Sequence, residues 1–138
     1  MLFIQLASPD AVDCAQIDQT YLQAALGSVD SAGTFVFARK QPKSATNFDV
    51  YARMFAPQTG IVEDPATGGA AGPLAGYMLE HGLLPQNGEV RLVIEQGTKM
   101  RRQSFLYVLI TRDEYGLKIE VGGNVVKVAE ATLFLDAR

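Results

Sequence analysis

The segment from residue 70 to residue 81 limits most strongly what this chain can fold into. Its central part, LAGYML at 74–79, is apolar or small on every side of a helix. A helix over 70–81 would be about 18 Å long, and Gly82 can end it. Because a helix without a polar face has to be buried all round, the rest of the chain must cover it.

Short apolar runs separated by turn residues make up most of the remaining sequence, and they predict strands. DEYG at 113–116 and GGN at 122–124 are typical of hairpin turns between the last strands. One further helix is predicted, capped by Asp10 or Asp13 and ended by Gly27. The predicted strands are 2–6, 34–39, 49–55, 90–95, 104–111, 117–121 and 125–135.

Six to eight strands and two helices predict an α+β fold, in which a curved antiparallel β-sheet or barrel wraps around a central buried helix. The chain has 138 residues, and a chain of this size buries about two-thirds of its unfolded surface, enough for a core of its own. We find no internal repeat and no linker. A single domain over 1–138 is therefore expected.

Composition excludes several classes of function. The chain has 12 basic and 15 acidic residues, a net charge of −3, which argues against a nucleic-acid partner because phosphate binding needs clustered cations. One cysteine and one histidine exclude an internal disulfide and a His-rich metal site. No apolar run approaches the ~18–20 residues that cross a bilayer, and the first six residues do not form a signal peptide. We expect a cytoplasmic protein with no membrane partner.

The segment 63–72 (EDPATGGAAG) places two carboxylates and a run of small residues directly before the predicted central helix. Helix N-termini carry unpaired N–H groups and the positive end of the helix dipole, and glycines let a ligand approach that backbone closely. The N–H groups of Gly69, Ala70 and Ala71 are therefore candidates to hold a carboxylate or an oxyanion. The spacing alone is more typical of a packing loop, with Asp64 or Thr67 as a helix cap.

Three patches of sequence occur in an order that is typical of one family. They are RMFAP at 53–57 with GIVEDPATGGAAGPL at 60–74, EQG at 95–97, and GGNVVKV at 122–128. With these patches the chain resembles the C-terminal half of the phenazine biosynthesis PhzF-like proteins, which are relatives of diaminopimelate epimerase. The half that the family carries before it has no counterpart here.

The resemblance implies a site at the start of the central helix. Family members consist of two similar domains, and their active site lies in the cleft between them, where they catalyse cofactor-free proton shifts or epimerisations on small carboxylated molecules. Asp64 matches the family's active-site aspartate, and Gly68, Gly69 and Ala70 match its carboxylate-binding donors. Thr67, chiefly a cap, and Ala71 complete the expected ligand-binding set, which includes no metal and no cofactor.

Some positions depart from the family pattern. No residue of this chain matches the glutamate that shuttles the proton in the missing half. Gly69 stands where the family usually has a Ser- or Cys-like side chain, so a side-chain donor is lost. Arg101 and Gln103 stand where Gly and Pro are expected, and an arginine at a position suited to glycine indicates an altered loop.

The remaining polar residues are expected to have structural roles. Glu63 should point away from the cleft or pair locally, and Arg53 should pair with either Glu63 or Asp64. His81 lies at the far end of the central helix, where a cation interacts with the helix dipole. Cys14 is predicted to be a buried or half-buried thiol of the first helix.

Two hypotheses of different classes follow. In the first, a homodimer replaces the family's pseudo-symmetry by a true two-fold axis and places two copies of Asp64 around one cleft, giving an isomerase or epimerase. In the second, the chain is a non-catalytic ligand-binding or interaction module, or the remnant of a split gene. A separate chain that carries the N-terminal half is the alternative protein partner.

Overall fold

The computed structural model describes residues 1–26 and 33–134. These residues form seven strands and three helices, followed by a segment without regular secondary structure at 124–134. The elements are β1 (Leu2–Gln5), α1 (Pro9–Cys14), α2 (Gln19–Leu26), β2 (Thr34–Arg39), β3 (Asn47–Ala56), β4 (Ile61–Asp64), α3 (Gly68–Glu80), β5 (Gly88–Gln96), β6 (Ser104–Asp113) and β7 (Gly116–Gly123), with 3₁₀ turns at Pro57–Thr59 and Thr98–Met100.

The strands form one mixed sheet in the order β1-β2-β3-β5-β6-β7, with β4 paired to β3. The pairs β1–β2 and β3–β5 are parallel and the others antiparallel. The expectation of a purely antiparallel sheet is wrong, because helical connections join β1 to β2 and β3 to β5, and such crossovers bring strands together in parallel. Within the described residues the end strands β1 and β7 do not pair with each other, so the sheet is open and the predicted barrel is not closed.

The helix α3 packs on one face of this sheet, here called the inner face. Its buried residues join inward side chains of β2, β3, β5 and β6 in the main core. The ring of Tyr77 lies 5.6 Å from that of Phe3 and 6.0 Å from that of Phe37. The backbone of Gly72 faces Ile119 and Val121 of β7. Contacts of α3 therefore extend from the first strand of the sheet to the last.

The predicted position and burial of this helix need two corrections. It begins at Gly68, two residues earlier than predicted, so Pro73 lies inside it and cannot donate to the carbonyl of Gly69. Gly69, Pro73 and Glu80 form an exposed stripe along its length. The helix is not buried all round, because the open sheet covers only one side of it.

The predicted first helix is divided into α1 and α2, because Ala15 adopts an extended conformation that ends α1. Ser8, not Asp10 or Asp13, caps α1 by accepting from the N–H of Ala11. Asp18 accepts from N–H groups at the start of α2. The predicted terminator Gly27 lies outside the described residues.

The outer face of the sheet carries a smaller core under α1. Val12 of α1 is fully buried there against Val36, Ala38, Tyr51 and Phe55. Alternate residues of β2 and β3 thus serve two different cores, which explains why both strands are almost continuously apolar.

The last predicted strand, over 125–135, is not formed in residues 124–134, while Leu135 lies outside the described residues. Val125, Val128 and Phe134 are about nine-tenths exposed. A β-prone sequence does not form a strand when no neighbouring strand accepts its hydrogen bonds. None of the described helices has the length and hydropathy to cross a membrane.

Candidate functional site

The loop between β4 and α3 brings the predicted site residues together. Asp64 ends β4, where it pairs with Met54 of β3. Its Oδ2 accepts a hydrogen bond from the hydroxyl of Thr67 at 2.5 Å, and Oδ1 lies 3.5 Å from the N–H of Ala66. The carboxylate is thereby oriented beside the start of α3 and remains partly accessible.

The side chain of Gln96 holds this loop in place through hydrogen bonds, a role that was not predicted from the sequence. Its side chain is fully buried. The amide donates to the carbonyl of Asp64 at 2.5 Å and to Oγ1 of Thr67 at 2.9 Å, and it accepts from the N–H of Thr67 at 3.1 Å. A signal existed in the sequence, because Gln96 follows Leu92 and Ile94 at the inward positions of β5, where a polar residue requires hydrogen-bond partners.

Gly97 allows the end of β5 to approach the loop closely. Its φ is +78°, and a Cβ there would lie 2.4 Å from the carbonyl oxygen of Arg102 and 2.8 Å from that of Pro65. No other residue fits this position without moving backbone. The EQG motif therefore supplies a buried amide and the close contact that lets it reach Asp64.

The N-terminus of α3 presents Gly68 and Gly69 at the surface. These first positions have no intrahelical hydrogen-bond acceptor for their N–H groups. Ala70 and Ala71 are fully buried, and the N–H of Ala70 donates to the carbonyl of Thr67 at 3.0 Å. Thr67 occupies the cap position, but its side chain makes no capping bond, because the hydroxyl is directed to Asp64.

Arg53 and Glu63 form a largely buried ion pair next to the site. Two bonds of 3.0 Å and 2.8 Å join them, which decides between the two predicted partners of Arg53. The same guanidinium donates to the carbonyls of Val12, Asp13 and Ala15 at the end of α1. The hydrogen bond to Glu63 raises the pKa of Arg53, although burial opposes the increase. Arg53 therefore anchors the end of α1, and Glu63, as expected, pairs locally.

The loop after β5 keeps a glycine-type conformation despite its unusual residues. Arg101 adopts a left-handed conformation with φ +57°, so the position expected to hold glycine still has the backbone of glycine. Gln103 donates to Glu95 at 2.7 Å, as does the hydroxyl of Thr98, and Lys40 forms an ion pair with the same carboxylate. Burial alone would raise the pKa of Glu95. The hydrogen bonds from Lys40, Thr98 and Gln103 outweigh this effect, so the pKa is lowered overall.

The two other candidate residues lie away from the site. The ring of His81 packs on Tyr77 at 4.3 Å, at the opposite end of α3. Cys14 is exposed, so its predicted burial is wrong; Val12 is the buried residue of that short helix. Among residues 1–26 and 33–134, no three His, Cys, Asp or Glu side chains are grouped to hold a metal ion.

Comparison with known protein families gives a match over nearly the whole chain. The model of a family described as phenazine biosynthesis-like protein matches residues 1–131. The uncharacterized isomerase YddE of Escherichia coli K12 is 34% identical over 117 residues, which cover 83% of this chain and 38% of that protein. The trans-2,3-dihydro-3-hydroxyanthranilate isomerase of Pseudomonas fluorescens is 39% identical over 84 residues, 60% of this chain and 30% of that protein.

Two solved structures have a similar fold. A PhzF-family phenazine biosynthesis protein of Bacillus anthracis superposes with a TM-score of 0.69 at 20% identity, over 88% of this chain and 41% of that one. A predicted epimerase of Pseudomonas aeruginosa gives a TM-score of 0.60 at 29% identity, over 97% of this chain and 43% of its own. The chain thus spans less than half the length of these relatives.

Proposed function

Because the chain belongs to the family of phenazine biosynthesis-like proteins, we propose that it binds a small carboxylated, amino-acid-like molecule at the start of α3 and isomerises or epimerises it without a cofactor. One observation carries the proposal: the oriented carboxylate of Asp64 lies just before the exposed residues Gly68 and Gly69, whose N–H groups have no acceptor within the helix. That arrangement can hold both ends of an amino acid.

Each part of the loop has a distinct chemical task. The N–H groups of Gly68 and Gly69, with the positive end of the helix dipole, stabilise the carboxylate of the ligand and any negative charge that develops on it. Asp64 accepts from an amino group of the ligand or assists a proton transfer. Thr67 and Gln96 are positioning residues, since they hold Asp64 through hydrogen bonds and a buried amide.

We propose that a second polypeptide covers the site. The chain spans 38% of the length of YddE, and Gly68, Gly69 and Pro73 are exposed on one side of α3. We propose that a second copy supplies the other side of the cleft, as a homodimer. A separate chain that carries the N-terminal half of the family is the alternative.

Binding of 3-hydroxyanthranilate, an aromatic carboxylate that carries an amino group, tests the ligand class in air-free solution. We expect saturable binding by titration calorimetry, weakened about tenfold or more in Asp64→Asn because a charge-assisted hydrogen bond contributes about 1.5–3 kcal/mol. Asp10→Asn, which makes the same change on the exposed side of α1, is the matched control. Absence of binding, or equal affinity in the two variants, would contradict the proposal.

A non-catalytic ligand-binding module is the second candidate, favoured by Gly69, which leaves the exposed start of α3 without a side-chain donor at that position. Exchange of a carbon-bound hydrogen of the substrate for deuterium distinguishes the two candidates. With trans-2,3-dihydro-3-hydroxyanthranilate in D₂O, followed by proton NMR, an enzyme replaces a carbon-bound hydrogen by deuterium, and Asp64→Asn abolishes the exchange. Binding without exchange would instead support the module.

A further inference from the structure

The edge strand β7 has an unusual combination of exposed groups. In the described part of the chain it pairs only with β6. On the inner face, Leu117 and Val121 are 46% and 44% exposed, on either side of the partly buried Ile119. On the outer face Lys118 and Glu120 form an exposed ion pair at 2.9 Å.

We propose that β7 pairs antiparallel with β7 of a second copy of this chain, about a two-fold axis that passes beside Ile119. In this register Ile119 lies opposite Ile119 of the second copy. Lys118 then lies opposite Glu120, and Leu117 opposite Val121, each pair occurring twice. The interface continues the sheet from one copy into the other, as in other cases of strand addition.

The register follows from symmetry and charge. A two-fold axis perpendicular to the sheet keeps the inner faces of both copies on the same side, so an inward residue must oppose an inward residue. Centring the pair on Lys118 or on Glu120 would place like charges opposite each other, which destabilises a strand pair. Centring it on Ile119 pairs opposite charges and uses 116–122, nearly the whole of β7.

Apart from its two charged residues, the strand lacks the features that keep an edge unpaired. Single-copy proteins protect an edge strand with proline, with a bulge, or by covering it. β7 is eight residues long, without proline, and pairs with β6 in an unbroken register. Its two charged residues, which would discourage other strands, complement each other across the proposed axis.

This interface goes beyond the proposed function and uses a different surface. The end of β7 near Gly123 lies beside the start of β6, at the end of the sheet where Gln96 holds Asp64. Because the paired strands run in opposite directions, the two Asp64 loops lie at opposite ends of the joined sheet. Each site stays open to the second polypeptide proposed above.

Charge reversal tests the inference by light scattering on the full chain. Lys118→Glu and Glu120→Lys should each raise the dissociation constant of this contact about tenfold or more, since each creates two like-charged pairs. Each should also halve the molar mass of the assembly, from about four times to about twice 14.9 kDa if the cleft homodimer forms as well, and from about twice to once if it does not. An equimolar mixture of the two variants should recover the larger mass, because every cross-strand pair is again of opposite charge.

The mixture separates this contact from the loss of the ion pair within one chain, which mixing cannot restore. Lys127→Glu, which breaks an exposed ion pair with Glu130 outside β7, is the matched control and should leave the mass unchanged. Circular dichroism should show all variants folded. A monomeric unchanged chain, a mass that does not respond to charge reversal, or variants that fail to associate when mixed would each overturn the inference.

Discussion

The Asp64 loop and the edge strand β7 lie on the same sheet, but they differ in how far their polar and apolar groups are covered within the chain. At the loop, Gln96 and Thr67 pair polar groups with one another inside the chain. At the edge, Leu117 and Val121 are nearly half exposed, and the following residues 124–134 are exposed as well. The comparison teaches that this chain pairs the polar groups of the Asp64 loop within itself but leaves apolar surface at β7 that another polypeptide can bury.

Two leucine-to-alanine substitutions, one in α3 after the Asp64 loop and one in β7, compare how much each region contributes to the free energy of unfolding. Leu74 of α3 is fully buried, whereas Leu117 is 46% exposed. We expect Leu74→Ala to lower the free energy of unfolding by about 3 kcal/mol, through lost burial and a cavity, and Leu117→Ala to lower it by less than about 1 kcal/mol. Urea denaturation at a low protein concentration measures both. Equal losses would mean that the helix side of the core is not the main source of stability.

Removing the buried amide of Gln96 should destabilise the protein more than removing the exposed amide of Gln103. Gln96→Leu leaves the carbonyl of Asp64 and the N–H of Thr67 without their partners, and we expect a loss of about 2–3 kcal/mol. Gln103→Leu makes the same change where the amide has one exposed bond to Glu95, and a loss below about 1 kcal/mol is expected. Thermal and urea unfolding compare the two, and a larger loss in Gln103→Leu would refute the role assigned to Gln96.

Replacing Arg101 by glycine should stabilise the loop that follows β5. Arg101 has φ +57°, a region that side chains disfavour by about 1–2 kcal/mol. Arg101→Gly should therefore raise the free energy of unfolding by about 0.5–1 kcal/mol. This net gain is smaller than the relieved strain, because glycine loses more backbone entropy on folding. Arg102→Gly, at a neighbouring position without positive φ, should lower it. The same sign for both variants would show that backbone strain is not the cause.

The smallest expected effect is a change in pH dependence. The pKa of Glu95 is lower in the folded protein than its ordinary value of 4.5, so its contribution to stability is present above pH 4.5 and is lost as the pH falls through the folded pKa. Glu95→Gln should make stability less dependent on pH below 4.5. Glu130→Gln, at an exposed ion pair, serves as control. Urea titrations at pH 3–6 measure the slopes, and unchanged slopes in Glu95→Gln would contradict the account.

Local sequence patterns predict a large part of this fold. The strands β1, β2, β3, β5, β6 and β7, the helix α3 and the hairpin turn before β7 follow from apolar runs and turn residues, because those preferences act over a few residues. The short strand β4 was not predicted. The parallel pairs could not be predicted from any run alone, since they depend on which strands the crossovers bring together. The strand predicted over 125–135 is absent in 124–134 because strand propensity requires a neighbouring strand, which no local pattern supplies.

For the candidate site, the sequence predicts the loop but not how it is held. The glycines and Asp64 are recognisable in EDPATGG, and the two alternatives for Arg53 include the partner it has. The hydrogen bonds of Gln96 join residues about 30 positions apart, and the sequence alone does not reveal such long-range contacts. The exposed stripe of α3 was missed for a related reason: residue composition shows that a helix can be buried, but not on how many sides it is covered.

The central claim is that the start of α3 binds a carboxylate, and amide NMR tests it most directly. A ¹H–¹⁵N titration of the full chain with 3-hydroxyanthranilate should shift the amides of Gly68, Gly69 and Thr67 first and furthest, and Asp64→Asn should weaken the response at these same residues. Shifts confined to the β7 edge or to the outer face near Cys14, with the Gly68 and Gly69 amides unchanged at saturating ligand, would contradict the account.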